Sequence, residues 1–173
     1  MDVEHALSRL RTCVEHGPVT KIRHPALAGQ RRRTPEHAAD ERILLVRQYR
    51  VAVGEALLEI PAGTLDVAED GTVEDPDRAA RRELEEETGA RAGTWQKVAT
   101  FFTAPGFASE LMHLYLATDL RAADGERLQP DEDEALELER IPWREALAAA
   151  ERGEYRDAKT LVGLLWLARL RDA

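Results

Sequence analysis

The chain has 173 residues, of which 43% are hydrophobic, and this is enough for one domain with a sizeable core. Its formal net charge of −9 argues against a nucleic-acid-binding surface, which normally carries a basic excess, but is compatible with a phosphorylated small molecule held through a cation. The single cysteine, Cys13, excludes an internal disulfide framework and fits a reducing compartment. The longest apolar run, residues 161–168, is too short to span a bilayer, and no leader pattern is visible, so we expect a cytoplasmic protein with no membrane partner.

The first forty residues carry little pattern. Val3, Leu7 and Leu10 fall on one face of a helix predicted for residues 2–16, which Gly17 and the proline after it end. The tract at 18–41 lacks periodicity and includes three consecutive arginines typical of an exposed turn. We therefore predict that residues 1–40 form a helix and an irregular arm, followed by one single-core domain at residues 41–173.

The remaining sequence alternates between strand-like and helix-like patterns. Strands are predicted at residues 41–50, 56–60, 95–102, 111–118 and 136–141. Helices are predicted from Asp75 to Gly89 and at residues 143–152 and 159–171, with Asp75 as N-cap and Pro76 in the first helical position. This order predicts an α/β fold in which helices sandwich a mixed sheet.

The helix that follows Asp75 is crowded with carboxylates. At 3.6 residues per turn, Glu83, Glu86 and Glu87 fall within one arc, whereas Glu85 points elsewhere. Like charges three or four residues apart on a helix repel by roughly 3 kcal/mol at an effective dielectric of about 20. Either this face is fully solvated, as in any acidic surface helix, or a hard divalent cation such as Mg²⁺ lies on it.

The run R-E-L-E-E-E-T-G-A at residues 82–90 resembles the second half of the Nudix box, G-x5-E-x7-R-E-U-x-E-E-x-G-U. Counting back from Arg82 with the spacing of the box gives Glu74, and Gly63 is then the opening glycine. Ten residues rather than five separate Gly63 from Glu74, so the loop at 64–73 is lengthened. Lengthening a surface loop costs little free energy, so the resemblance holds.

The segments around the box resemble the ADP-ribose pyrophosphatase branch of the Nudix hydrolases. They are L-L-V-R-Q-Y-R and L-L-E-I-P-A-G before the box and T-A-P-G-F-A-S-E after it, and Pro105 lies 16 positions past Gly89, an offset that marks this branch. The resemblance covers residues 42–170 and implies a Nudix-type α/β/α sandwich with a mixed β-sheet. It also implies a homodimer, although residues 1–40 do not show the exchanged N-terminal strands that members of this branch usually have.

The resemblance further implies a metal site. Its ligands would be one backbone carbonyl and three carboxylates: Ala62, Glu83, Glu86 and Glu87. Mg²⁺ is the expected cofactor, with Mn²⁺ as a substitute. Arg82 would orient a carboxylate, and Glu74 would hold the loop or reach a metal through water, unless it is simply an acid favoured at a helix start.

In similar enzymes a glutamate on a late loop is the general base. Here that loop is at residues 130–134, and the strand after it favours Glu134 or Glu132 without separating them; a solvated acidic loop is the alternative interpretation. The residues expected to contact substrate are Arg50, Pro105, Gly106, Phe107 and Glu110. A surface cation at a strand end is an equally good interpretation of Arg50.

The resemblance implies Mg²⁺-dependent hydrolysis of the pyrophosphate of ADP-ribose to AMP and ribose 5-phosphate, by in-line attack of a metal-activated water on phosphorus. One alternative is hydrolysis of other nucleotide sugars or dinucleoside polyphosphates, because the box dictates the cleaved linkage and not the flanking group. Another is a non-catalytic ADP-ribose-binding sensor, which is less favoured because the carboxylates of the box are all present. All of these imply a small-molecule nucleoside diphosphate partner and no nucleic acid.

Overall fold

The computed structural model describes residues 22–29, 41–123 and 136–171. Within these ranges the chain forms seven strands and three helices. In chain order they are β1 (Ile22–Gly29), β2 (Arg42–Arg50), β3 (Glu55–Glu59), β4 (Ala62–Thr64), α1 (Pro76–Thr88), β5 (Ala90–Phe102), β6 (Leu111–Ala122), β7 (Glu137–Pro142), α2 (Trp143–Glu151) and α3 (Ala158–Arg171). None of these helices is long and apolar enough to cross a membrane.

The seven strands form one sheet, in which β3, β2, β1, β6 and β5 lie side by side in that order. Strands β1 and β6 are parallel, whereas the other described pairs are antiparallel. Strand β4 pairs with β1, and β7 pairs with β2. The prediction of a mixed sheet is therefore confirmed.

Helices cover both faces of this sheet. Successive side chains of a strand point to opposite faces, so β2 contributes to two separate clusters. Leu44 packs with Leu84 of α1, whereas Ile43 and Leu45 join the cluster under α2 and α3 that includes Leu164. The predicted burial of β2 on both faces and the predicted α/β/α sandwich are thus confirmed.

The prediction of irregular structure between residues 18 and 41 is wrong for Ile22–Gly29, which forms β1. Pro25 and Gly29 both disfavour a strand when the segment is considered alone. Strand β1 nevertheless pairs with β2, β4 and β6, and these long-range partners supply hydrogen bonds that no local pattern encodes. The helix predicted for residues 2–16 lies outside the described residues.

Candidate functional site

Helix α1 begins and ends where the sequence predicts. Asp75 is the N-cap, and its Oδ1 accepts hydrogen bonds from the N–H groups of Asp77 at 3.0 Å and Arg78 at 3.2 Å. Gly89 is the C-cap with a left-handed φ of 64°, a conformation that glycine adopts without strain. These two caps fix the helix that carries Arg82 and the clustered glutamates.

Arg82 is the centre of the carboxylate cluster, which we define as Glu74, Glu83, Glu86 and Glu87. Its Nη1 donates to Glu83 Oε1 at 2.9 Å and to Glu86 Oε2 at 2.7 Å, while its Nη2 donates to Glu74 Oε2 at 2.9 Å and to the carbonyl oxygen of Thr64 at 3.0 Å. Burial opposes the charge of Arg82, but the bonds to Glu74 and the charges of Glu83 and Glu86 raise its pKa above the ordinary value. One guanidinium thereby holds three carboxylates together.

Glu74 reaches Arg82 despite the lengthened loop before it. The loop folds back as a small hairpin: Val67 and Val73 form a β-bridge, and the N–H of Glu74 donates to the carbonyl oxygen of Asp66 at 2.8 Å. Burial alone would raise the pKa of Glu74, but hydrogen bonds from Arg82 and the backbone of Asp66 lower it. The added residues are therefore accommodated outside the cluster.

Strand β4 lies directly against the carboxylate face of α1. A Cβ built on Gly63 would lie 1.7 Å from Cδ of Glu83, so no larger residue fits there without displacing that carboxylate. Beside it, the N–H of Ala62 donates to Glu87 Oε2 at 3.1 Å, and Glu87 is only 4% exposed. The predicted ligand residues Ala62, Glu83, Glu86 and Glu87 are thus brought together.

Arg50 lies at the end of β2 in a bidentate ion pair. Its Nε and Nη2 donate to the two carboxylate oxygens of Glu59 at 2.8 and 2.6 Å. The hydrogen bond to Glu59 raises the pKa of Arg50 most, burial lowers it, and the charges of Glu59, Asp157 and Glu87 add to the increase.

The other predicted substrate residues lie in the loop between β5 and β6, which holds Pro105 and Gly106. The loop is closed at its base, where Thr103 Oγ1 donates to Glu110 Oε2 at 2.6 Å and the N–H of Thr103 donates to the carbonyl oxygen of Glu110 at 3.1 Å. Phe107 is 81% exposed. The two predicted base residues, Glu132 and Glu134, lie outside the described residues.

Glu59 and Lys159 were not singled out from the sequence. They form a buried ion pair, with Glu59 1% and Lys159 5% exposed, and Lys159 also pairs with Asp157 at 2.9 Å. The sequence did hold one signal: Glu59 is a charged residue inside the apolar run L-L-E-I-P. A charge buried in such a run needs a partner of opposite charge, so a buried ion pair could have been expected. The position of that partner, 100 residues away, could not be derived from the pattern.

The donor set fits a hard divalent cation. The ligands predicted from the sequence are carboxylate oxygens and a backbone carbonyl, which Mg²⁺ and Mn²⁺ prefer. Among the described residues, no group of three or more acidic, histidine or cysteine side chains is arranged so that it could hold a metal ion by itself. Mg²⁺ does not need one, because it commonly binds one or two carboxylates together with water and substrate phosphates. The open arrangement therefore suits a cation shared with a phosphorylated ligand.

Comparison with known proteins extends these observations. A bacterial relative named ADP-ribose pyrophosphatase, from Bacillus subtilis, is 39% identical over 132 residues, which cover 76% of this chain and 68% of that protein. The methanol dehydrogenase activator of Bacillus methanolicus is 36% identical over 152 residues, covering 88% and 76%. The GDP-mannose pyrophosphatase of Cronobacter sakazakii is 36% identical over 126 residues, covering 69% and 63%.

A solved structure described as an ADP compounds hydrolase superposes with a TM-score of 0.68 at 23% identity, covering 88% of this chain and 74% of that one, which shows a shared fold.

The protein-family model described as the NUDIX domain matches residues 35–162 of this chain. This match includes all of the box. The chain therefore belongs to the Nudix family.

Proposed function

We propose that this chain is a Mg²⁺-dependent hydrolase that cleaves the pyrophosphate of ADP-ribose to AMP and ribose 5-phosphate. The observation that carries the proposal is that Arg82 binds Glu74, Glu83 and Glu86 together, while Glu83 packs closely against Gly63 of β4. The relative named ADP-ribose pyrophosphatase supports this choice of substrate.

Each residue of the proposed site has a separate role in the reaction. Glu83, Glu86, Glu87 and the carbonyl of Ala62 would hold the cations. Bound divalent cations neutralise phosphate oxygens and make a water molecule more acidic. Arg82 holds the carboxylates in place, and Arg50 would bind phosphate oxygens, because a guanidinium presents several donors in a planar fork.

A test of the ligand assignment compares glutamates of one helix. Glu83→Gln or Glu87→Gln is expected to lower kcat by orders of magnitude, because an amide is a poor ligand for Mg²⁺, while the far-ultraviolet circular dichroism stays that of the wild type. The control is Glu85→Gln, because Glu85 pairs with Arg91 at 2.6 Å instead of Arg82. Wild-type turnover in both Glu83→Gln and Glu87→Gln would contradict the assignment.

The general base is proposed to be Glu134, or Glu132 in its place. Glu134→Gln is then expected to lower kcat far more than it weakens Mg²⁺ binding, since proton transfer contributes typically 10²–10⁴-fold to a rate. Steady-state kinetics together with titration of Mg²⁺ separates the two effects. If neither Glu134→Gln nor Glu132→Gln slows turnover, the base lies elsewhere.

A second candidate is hydrolysis of another nucleotide sugar, favoured by the similarity to a GDP-mannose pyrophosphatase. Product analysis with Mg²⁺ across ADP-ribose, GDP-mannose and dinucleoside polyphosphates decides between them. The highest kcat/KM is expected for ADP-ribose. A higher kcat/KM for GDP-mannose would show that GDP-mannose, and not ADP-ribose, is the preferred substrate. The proposed hydrolysis of a pyrophosphate would be the same.

A homodimer and a cytoplasmic location are also part of the proposal. They are supported by the resemblance to the ADP-ribose pyrophosphatase branch and by the single cysteine of the sequence. Light scattering coupled to size-exclusion chromatography measures the mass in solution, for which twice the mass of one chain is expected. A mass of 19.4 kDa would show a monomer.

A further inference from the structure

The buried pair of Glu59 and Lys159 has no part in the chemistry described so far. Their exposed fractions are 1% and 5%, and charged residues are almost never buried to this extent unless they are paired. Removing two charges from water carries a desolvation cost that can exceed their mutual attraction, so such a pair is weak evidence for a role in stability alone. Its position next to Arg50 indicates a role in the site.

Glu59 fixes the orientation of the Arg50 guanidinium. Both oxygens of Glu59 are used, with Nε donating to Oε1 at 2.8 Å and Nη2 donating to Oε2 at 2.6 Å. Two parallel hydrogen bonds define the plane of the guanidinium as well as its position. This mode of binding leaves Nη1 directed away from Glu59, and the side chain of Arg50 remains 25% exposed.

Lys159 anchors Glu59 from the first turn of α3. Its Nζ donates to Glu59 Oε2 and lies 2.9 Å from Asp157 Oδ2. The same turn is tied to the end of β3 by its neighbour Thr160, whose Oγ1 accepts the N–H of Ile60 at 2.9 Å. The ammonium group therefore lies at a fixed point between helix and strand.

Lys159 also balances the charge of the network around Arg50. Arg50 and Lys159 carry two positive charges, and Glu59 and Asp157 carry two negative charges, so without Lys159 the network would be negative where phosphate has to bind. Asp157 Oδ2 also accepts the N–H of Thr160 at 2.9 Å at the start of α3.

We propose that Lys159, acting through Glu59, positions Arg50 and keeps its charge available for the phosphates of a nucleoside diphosphate substrate. This inference rests on the proposed function and adds to it two positioning residues that do not touch the substrate. If the inference holds, the start of α3 takes part in substrate binding, although it is remote in sequence from the box.

The test is a mutant cycle on KM and kcat for ADP-ribose with Mg²⁺. Lys159→Met, which keeps the length of the apolar stem, is expected to raise KM about tenfold and to change kcat much less, because phosphate binding is weakened in ground and transition states alike. Lys159→Arg, which restores a cation beside Glu59, is expected to recover most of the loss. Lys159→Gln serves in place of Lys159→Met if the latter does not fold.

The double variant decides whether Lys159 acts through Arg50. If it does, Arg50→Gln combined with Lys159→Met has the same KM as Arg50→Gln alone, since coupled residues are non-additive. The matched control is Arg171→Met. Arg171 lies at the far end of the same helix and pairs with another buried glutamate, Glu41, with 2.7 Å between Arg171 Nη2 and Glu41 Oε2. The control substitution is expected to leave KM unchanged even if it lowers the melting temperature.

Three results would overturn the inference: an unchanged KM in Lys159→Met, an equal rise in Arg171→Met, or additive effects in the double variant. Calorimetric titration with ADP and Mg²⁺ on the same variants gives a second measurement, in which Kd should follow the pattern of KM. Wild-type protein that neither turns over nor binds these ligands would overturn the proposed function and the inference together. If the wild-type protein is active but the Lys159 variants have the KM and Kd of the wild type, only the inference is overturned.

Discussion

Gly63 and Glu83 share a space that holds only one side chain. The carboxylate of Glu83 occupies the volume where any Cβ on Gly63 would lie, with 1.7 Å between that Cβ position and Cδ of Glu83. Real side chains essentially never approach so closely, so the carboxylate or strand β4 would have to move. The position therefore requires glycine, because any side chain there would collide with Glu83. Glu83 is also a predicted metal ligand, so the collision would disturb the predicted metal site.

Gly63→Ala is therefore expected to lower kcat by orders of magnitude while the chain still folds, because a displaced Glu83 no longer meets the cation. Steady-state kinetics and Mg²⁺ titration measure the effect. The control is Gly93→Ala in β5, whose Cβ would lie 3.2 Å from Cβ of Asp119, a contact that a small shift relieves. Near-wild-type kcat in Gly63→Ala would show that the glycine is not needed for the site.

Much of this residue-scale detail follows from sequence, because it is local. The spacing on one helix predicted that Glu83 and Glu86 share an arc and that Glu85 points elsewhere; Arg82 contacts the first two, and Arg91 binds the third. Glu59 and Lys159 are different, because they meet across 100 positions of chain. No periodicity relates such residues, so only the fold could reveal their contact.

Among the elements, α1 is the one that the sequence predicts best. Its ends are set by Asp75 and Gly89, and both signals are local preferences of backbone conformation. Strand β1 was missed for the opposite reason. Its residues have weak intrinsic preference for a strand, and its place between β2 and β6 depends on pairing with distant segments.

Asp75→Ala is expected to reduce the free energy of unfolding by about 1 kcal/mol, since two N–H groups at the start of α1 lose their acceptor. Urea denaturation followed by circular dichroism measures it. Asp70→Ala is the control, because Asp70 makes a comparable bond to the N–H of Thr72 at 2.8 Å in a loop with no helix behind it. Equal effects of the two substitutions would contradict the capping role.

For the molecule as a whole, Glu59 joins three elements: it lies in β3 and pairs with Arg50 of β2 and Lys159 of α3. Burial raises the pKa of its carboxyl, but hydrogen bonds and charges from these two cations outweigh burial and lower it. A carboxyl with a lowered pKa in the folded state stabilises the fold above its unfolded pKa, which is about 4.3 for glutamate. That stabilisation is lost as pH falls through the lowered value.

We therefore expect the free energy of unfolding to fall more steeply with acidification below about pH 4.3 in the wild type than in Glu59→Gln, which has no proton to take up there. The variant should be less stable at neutral pH, because two buried cations lose their anion. Urea denaturation at a series of pH values provides both curves. Parallel curves below that pH would show that Glu59 does not contribute to acid sensitivity.

The hairpin between β4 and α1 has a practical consequence. Its two ends meet at the hydrogen bond between Asp66 and Glu74, and its tip, which includes Glu69 and Asp70, is exposed. A peptide tag or a fluorescent dye grafted onto that tip would lie on the loop that ends at Glu74 of the carboxylate cluster, without stretching the backbone beneath it. The protein thus offers a built-in attachment point for a reporter of ligand occupancy.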